Sequence, residues 1–183
     1  MKSIKFHIVY ILCFSVLFIS CEDNVKDEAW GNSLLYMPQS VLGSGGQNAN
    51  LKINVYTSSK SDTSIVVGMY RSGLEPIKSV TANFVIAIDT LVSAINLGNT
   101  TTNDNYKDFK DAILLPSDYY ELPTTISLAD GQRENHVFIK LNKTKLLADS
   151  HTGSFILPIK LENPTRYELN QKRSLTFFIF SKK

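Results

Sequence analysis

Two carboxylates, Asp118 and Glu121, lie three residues apart in a segment rich in tyrosine and leucine. Such a pair can act as acid and base in the hydrolysis of a glycosidic bond, but only when a cleft holds the two groups at a defined separation. A compact β domain of this size rarely encloses such a cleft without long loops. We therefore assign both side chains to turn and strand surface and predict no catalytic residue and no enzymatic activity.

The other acidic side chains and the histidines do not form a metal-binding pattern. Asp104, Asp108 and Asp111 are spaced by four and three residues, whereas EF-hand calcium loops need alternate oxygen ligands and a glycine. His136 and His151 have no partners at ligand spacing. The sequence therefore predicts a solvated loop around the aspartates, no metal site and no cofactor.

Aromatic rings are the remaining candidates for binding. The C–H face of a sugar stacks on an exposed Tyr or Trp, while its hydroxyl groups bond to polar neighbours. Tyr106 lies in residues 103–108, the most polar loop that contains an aromatic side chain. Tyr119 and Tyr120 point to opposite faces if their segment is extended, so one is expected in the core and one outside. Packing of these rings against neighbouring strands is the simpler alternative for all three tyrosines.

The N-terminal residues carry the pattern of an export signal. Residues 6–19 are mostly apolar, follow Lys2 and Lys5, and end at Ser20. As a helix, this segment reaches about 21 Å and falls short of the ~30 Å hydrocarbon core. The sequence therefore predicts a signal peptide over residues 1–20 that is removed from the mature protein, in preference to a retained transmembrane helix.

Cys21 is the candidate lipidation site. The preceding residues, Leu17-Phe18-Ile19-Ser20, resemble the lipobox of bacterial lipoproteins, in which the cysteine is acylated and becomes the new N-terminus. An ordinary secretory signal that leaves Cys21 free is the alternative. Acylation is favoured because it consumes an otherwise unpaired thiol on an exported chain, and two or three acyl chains anchor a protein stably. The lipid bilayer is thus a predicted partner, reached through acylated Cys21.

Cysteine content and charge limit the function classes further. The two cysteines are Cys13 and Cys21, so the mature domain has no thiol for a disulfide or a metal site. Lys2 and Lys5 are two of the 19 basic residues, so the mature chain has 17 basic and 17 acidic residues. A neutral chain without a dense basic stripe argues against nucleic acid as a partner. We interpret residues 21–33 as a lipidated flexible tether and residues 34–183 as one domain.

The hydrophobic period of this domain is two, which is typical of strands. Apolar and polar residues alternate over residues 51–56 and 136–141, as expected for strands with one face on a core. Other runs are apolar nearly throughout and fit strands covered on both faces or at an interface; these are residues 64–70, 82–88, 154–161 and 174–180. The pattern predicts an all-β, antiparallel sandwich of seven to eight strands.

Three local signals refine this prediction. Asp89 and Asn142 are candidate helix caps, so short crossover helices are expected over residues 90–96 and 143–148. Pro158 lies within a strand-like run, and because proline cannot donate a ladder hydrogen bond, it predicts an edge strand or a bulge.

Five segments, in order and spacing, carry a resemblance over nearly the whole mature chain; they are residues 70–73, 84–89, 114–122, 126–131 and 155–159. Together they resemble domain of unknown function 1735 (DUF1735), the N-terminal-domain family of Bacteroides endo-β-N-acetylglucosaminidase-like surface lipoproteins. The resemblance implies an immunoglobulin-like β-sandwich that is often encoded with glycan-utilisation machinery. Its pattern places Tyr120 in the core and leaves Tyr119 outside. Tyr119, together with Tyr106 of the polar loop, is therefore a candidate glycan contact.

These observations predict a non-catalytic outer-membrane surface lipoprotein, an accessory or glycan-binding module of a Bacteroidetes polysaccharide-utilisation system. Glu22-Asp23 resembles the surface-export signal of Bacteroidetes lipoproteins, so the lipid-anchored domain is expected to face the cell exterior. A solvated linker is the alternative interpretation of this acidic pair. The implied partners are a glycan or a SusC/SusD-like uptake complex. The alternative is a structural or adhesive subunit that assembles by β-strand addition, suggested by the apolar run at residues 175–180. We favour the interpretation of this run as the last core strand.

Overall fold

A computed structural model of the chain describes residues 32–41, 49–56, 63–74 and 76–183. The predicted signal peptide, Cys21 and nearly all of the tether lie outside the described residues, so the predictions made for them stay predictions. Among the described residues, no helix has the length and hydropathy needed to cross a membrane.

The described residues form eleven strands and two α-helices, numbered in chain order. The strands are β1 (Leu34–Tyr36), β2 (Ala49–Val55), β3 (Thr63–Arg71), β4 (Val80–Ile86), β5 (Ile113–Leu114), β6 (Tyr120–Glu121), β7 (Thr125–Leu128), β8 (Glu134–Leu141), β9 (Phe155–Glu162), β10 (Glu168–Leu169) and β11 (Leu175–Lys182). The helices are α1 (Ile88–Thr100) and α2 (Lys143–Ala148). Single 3-10 segments lie at Pro38–Ser40, Asp104–Phe109, Ser117–Tyr119 and Gln171–Arg173. Four strands have only two or three residues, and the seven longer ones match the predicted number.

The strands form two sheets. One has five strands in the order β10-β1-β3-β8-β6, and the other has six, with β2-β11-β9-β4-β7 in line and β5 also paired with β9. The pairing of β3 with β8 in one sheet, and the order β11-β9-β4 in the other, reproduces the arrangement of the central strands of immunoglobulin domains. The predicted immunoglobulin-like β-sandwich is confirmed.

The pairing is mainly antiparallel, as predicted, with three exceptions. The pairs β1–β10, β2–β11 and β5–β9 are parallel. Tight hairpins require antiparallel neighbours, but none of these three pairs joins strands that are consecutive in the chain. The long connections between the paired strands allow them to run either parallel or antiparallel.

Hydrophobic residues fill two layers. The main core lies between the sheets and includes Leu35, Val67, Ile139, Leu157 and Phe178. A second cluster lies on the other side of the six-stranded sheet, beneath α1 and the Asp104–Phe109 segment. There the rings of Phe109 and Phe177 meet edge to face, with their centroids 5.0 Å apart. The molecule therefore has three layers: a sheet, a second sheet and a helical cover.

The apolar runs that were predicted to be covered on both faces divide into two groups. β9 and β11 are buried almost throughout because they lie between the main core and the helical cover. β4 alternates between buried and half-buried residues, and β3 exposes Val66, so these two strands pack only one face against a core in this chain. Composition alone does not separate a doubly covered strand from an apolar strand at a surface.

The helix predictions met different outcomes. α2 covers the predicted residues, and the Asn142 side chain accepts a hydrogen bond from the Lys145 backbone N–H, as a cap does. α1 is longer than predicted and begins at Ile88, with Ala87 at the N-cap. Asp89 therefore lies in the first turn, where its negative charge interacts favourably with the positive end of the helix dipole but makes no capping hydrogen bond.

Pro158 lies in β9, between other strands of the sheet and not at its edge. Its carbonyl accepts a hydrogen bond from the Ala87 N–H at 3.0 Å, so its backbone faces the point where β4 gives way to α1. Because no strand pairs with Pro158 on that side, the missing donor interrupts no ladder. The prediction of an edge strand or a bulge was therefore wrong, since β9 also pairs with β11 residue by residue from Phe155 to Lys160.

β11 is the last core strand, as favoured. It pairs with β2 on one side and with β9 on the other, so it has no free edge. The observation that suggested assembly by strand addition therefore does not apply to this strand.

Candidate functional site

The candidate site is an open groove at one end of the five-stranded sheet, where the short edge strand β6 pairs with β8. Two adjoining hollows, of about 550 and 250 Å³, meet at Glu121 and Lys140. The larger hollow is lined mainly by polar side chains, including Ser64, Asp118, Asn142 and Thr144. The smaller one is also lined by Leu122, Pro123 and Phe138.

The alternation along β8 positions the groove residues. Ile139 and Leu141 point into the core, so Phe138 and Lys140 must point outwards. Lys140 stands opposite Glu121 on β6. The ring of Phe138 remains 49% exposed, although aromatic side chains usually bury most of their surface. The apolar side chains of the smaller hollow thus lie next to the polar side chains of the larger one.

Each acidic group of the groove is paired with a lysine. The Lys145 Nζ donates to Asp118 Oδ2 at 2.7 Å, and Lys140 Nζ lies 3.6 Å from Glu121 Oε2. The hydrogen bond from Lys145 holds the pKa of the Asp118 carboxyl below its ordinary value. A glycosidase acid needs a carboxyl group with a raised pKa. Asp118 is therefore suited to accept hydrogen bonds and not to donate a proton.

Tyr119 does not line the groove. Its ring packs 6.2 Å from that of Phe155, and its hydroxyl donates to Asp149 Oδ2 at 2.8 Å. This bond to the carboxylate raises the pKa of the tyrosine, while the pKa of Asp149 is lowered, first by the backbone N–H of His151 and then by Tyr119. The phenol is thus already engaged within the domain.

The expectation that Tyr120 is buried and Tyr119 lies outside was wrong. Both rings are half-buried and pack against the main core. Tyr119 ends the 3-10 segment Ser117–Tyr119 and only Tyr120 has entered a strand, so the alternation of an extended chain does not apply to the pair. Burial raises the pKa of Tyr120.

Tyr106 lies in a different part of the fold. It belongs to the 3-10 segment Asp104–Phe109, and its ring is half-buried, 6.3 Å from that of Phe109, at the margin of the second core cluster. The structure therefore does not bring Tyr106 and Tyr119 into one site. Their role as glycan contacts stays a prediction.

The aspartates around Tyr106 serve local structure. Asp108 pairs with Lys52 of β2 at 2.9 Å, and Asp104 lies 3.9 Å from Lys107. No group of three or more His, Cys, Asp or Glu side chains in the described part of the chain is arranged to hold a metal ion.

Sequence reasoning missed Phe138, the residue that gives the groove its aromatic wall. The signal was present, because Phe138 occupies the polar phase of the alternation between His136 and Lys140. An aromatic residue at an outward strand position is a candidate binding residue, since the core does not account for it.

Comparison with known proteins identifies the domain. A family model with the description "-like, N-terminal domain" matches residues 31–168. A Bacteroides ovatus structure named as a multidomain protein including DUF1735 shares the fold with a TM-score of 0.50 and 13% identity, covering 82% of this chain and 43% of that one. The chain belongs to the DUF1735 N-terminal-domain family. Two further structures show the same fold.

Both of these further structures are also from Bacteroides ovatus. One, named a "putative carbohydrate binding protein", has a TM-score of 0.53 and 16% identity over 81% of this chain and 37% of that one. The other, a protein of unknown function, has a TM-score of 0.56 and 17% identity over 81% and 44%. The chain spans less than half the length of each of the three structures. The sequence has no significant match among curated proteins.

Proposed function

We propose that this DUF1735 domain is the non-catalytic, glycan-binding part of an outer-membrane surface lipoprotein that serves a polysaccharide-utilisation system. The observation that carries the proposal is the half-exposed Phe138 ring beside the polar groove. A sugar ring stacked on Phe138 would place its hydroxyl groups near Glu121 and Lys140. The relative named for carbohydrate binding supports the same ligand class.

The groove also favours binding over hydrolysis. It is open to solvent, and its carboxylates are held by lysines. Such a site offers stacking and hydrogen bonds, and the hydrogen bond from Lys145 lowers the pKa of Asp118, which disfavours Asp118 as a proton donor. A partner such as a SusC/SusD-like uptake complex would then receive the glycan that the domain retains at the cell surface.

Phe138→Ala is expected to weaken glycan binding about tenfold, because an aromatic stacking contact contributes roughly 1 to 1.5 kcal/mol. The measurement is retardation of the full-length chain, purified in detergent, in gels that contain neutral polysaccharides. Tyr56→Ala is the matched control, since this ring is 51% exposed and follows β2 in the other sheet. Tyr106→Ala and Tyr119→Ala test the two earlier candidates. Equal retardation of wild type and Phe138→Ala would remove Phe138 from the site.

The membrane anchor has an independent test. Mass spectrometry of the membrane-extracted protein is expected to show an N-terminus at Cys21 that carries acyl chains. Cys21→Ser should release the protein from the membrane fraction. A native protein that retains Met1, or an unmodified Cys21, would contradict lipidation without touching the glycan proposal.

A further inference from the structure

The outer face of the five-stranded sheet carries three aromatic side chains in addition to Phe138 of the groove. Tyr36 of β1 and Tyr70 of β3 are direct cross-strand neighbours, with ring centroids 5.1 Å apart. On β8, the rings of His136 and Phe138 meet edge to face at 5.6 Å. We call Tyr36, Tyr70, His136 and Phe138 the aromatic row.

The strand register places the whole row on one face. Phe138 lies opposite Val66, which is 43% exposed, and Tyr70 follows Val66 by four residues on β3, which keeps it on the same side. The intervening residues Val67 and Met69 are fully buried in the main core. The row therefore faces away from the core.

The row is longer than one sugar. Phe138 and Tyr36 lie four residues apart along the strands and two strands apart across the sheet, which corresponds to about 13 Å by 10 Å and a diagonal of roughly 16 Å. Gly68 lies between the two aromatic pairs, opposite His136. A Cβ at this position would stand 2.9 Å from the backbone oxygen of Asn135, so the close packing of β3 on β8 keeps this point free of a side chain.

The charges along the row are of both signs. At one end Lys140 faces Glu121 at 3.6 Å. At the other end, burial is the main cause that raises the pKa of Tyr36. Two charged neighbours also act on this pKa: Arg173 lowers it and Glu134 raises it. The row also differs from a typical protein interface. Such an interface buries about 800 Å² on each partner, and its core is depleted in charged residues, whereas the row consists of two separate pairs of rings with charged neighbours.

We propose that the aromatic row and the groove form one continuous site for an extended, uncharged polysaccharide chain. Phe138 belongs to both parts, and Tyr36 and Tyr70 bind sugars several units away from it. This inference rests on the proposed glycan-binding function and adds the length and charge class of the ligand. A short oligosaccharide would occupy the groove alone, whereas a longer chain would also stack on the tyrosines.

The test uses gels that contain xyloglucan, laminarin, galactomannan or amylopectin, with polygalacturonate as the anionic probe. The disaccharide and hexasaccharide of each retarding neutral polysaccharide are then titrated into the full-length chain by calorimetry. The hexasaccharide is expected to bind about tenfold more tightly than the disaccharide, because one further stacked pair contributes about that factor. Tyr36→Ala should abolish this difference and leave disaccharide binding unchanged.

The outcomes separate the two proposals. His136→Ala replaces an exposed side chain, so it supplies a second variant of the row if Tyr36→Ala fails to fold. One outcome is neutral glycan binding that depends on Phe138 and yet is the same for both chain lengths and unaffected by Tyr36→Ala and His136→Ala. That result overturns the extended site but not the proposed function. Retardation by polygalacturonate only overturns the uncharged class. A row variant that changes the oligomeric state and not glycan binding makes the row a protein interface. No binding to any probe overturns the proposed function itself.

Discussion

Arg71→Ala is expected to lower the free energy of unfolding by about 3 to 5 kcal/mol, because it empties a fully buried site and removes a charged hydrogen-bond donor. Arg71 is 0% exposed. Its Nη1 donates to the carbonyl of Pro76 at 3.2 Å and to the hydroxyl of Tyr167 at 3.1 Å, and its guanidinium lies 5.1 Å from the centre of the Tyr167 ring. The measurement is the urea midpoint of the full-length chain.

Tyr167 explains why the loss extends beyond one side chain. Its hydroxyl also accepts the Lys78 backbone N–H at 3.0 Å, so it joins the loop after β3 to the loop after β9. Its φ of +65° is in the left-handed region, which costs about 1 to 3 kcal/mol for a residue other than glycine and must be offset by such contacts. Tyr167→Phe should therefore lower stability by roughly 1 to 3 kcal/mol.

Arg166→Ala is the matched control, since this neighbouring arginine is exposed, and its effect should stay within about 0.5 kcal/mol. Arg71→Lys should recover part of the loss, because it keeps the charge but not the planar donor group. An unchanged urea midpoint for Arg71→Ala would show that the buried guanidinium is dispensable.

Gly98→Ala is expected to lower the free energy of unfolding by about 1 to 3 kcal/mol, although helix propensity alone favours alanine by ~1 kcal/mol. Gly98 is buried within α1. An added Cβ would lie 2.8 Å from the backbone oxygen of Tyr106, 2.8 Å from the carbonyl carbon of Phe109 and 2.9 Å from the nitrogen of Lys110. These are backbone atoms, so the helical cover itself would have to move.

Asn96→Ala supplies the comparison on the same helix. Asn96 is exposed, so propensity should decide the result and raise stability by up to about 0.7 kcal/mol. Thermal and urea unfolding of both variants measure the change in stability, which should be a loss for Gly98→Ala and a gain for Asn96→Ala. A stabilised Gly98→Ala would show that the Asp104–Phe109 segment yields freely and that the close approach does not constrain the fold.

Much of the architecture was predictable because it depends on local patterns. The alternation along β8 fixes which side chains enter the core, and the Asn142 cap fixes the start of α2. The resemblance supplied the immunoglobulin-like arrangement. Pro158 shows the limit of such reasoning, because its tolerance depends on where β4 ends and not on its own strand.

The candidate site was harder to predict because it arises from contacts between distant segments. Phe138 was visible only as an exception to an alternating pattern, and the groove needs β6, β8 and the cap of α2 together. Tyr119 looked exposed in sequence, but its hydroxyl reaches Asp149, thirty residues later. The burial of Arg71 at the end of β3 had no signal in the sequence, because arginine is ordinarily expected at the surface.

The helical cover makes the two sides of the domain unequal. α1 and Asp104–Phe109 close off the six-stranded sheet, while β1, β3 and β8 keep an uncovered side among the described residues. A polymer held along the uncovered side would leave the helical side vacant.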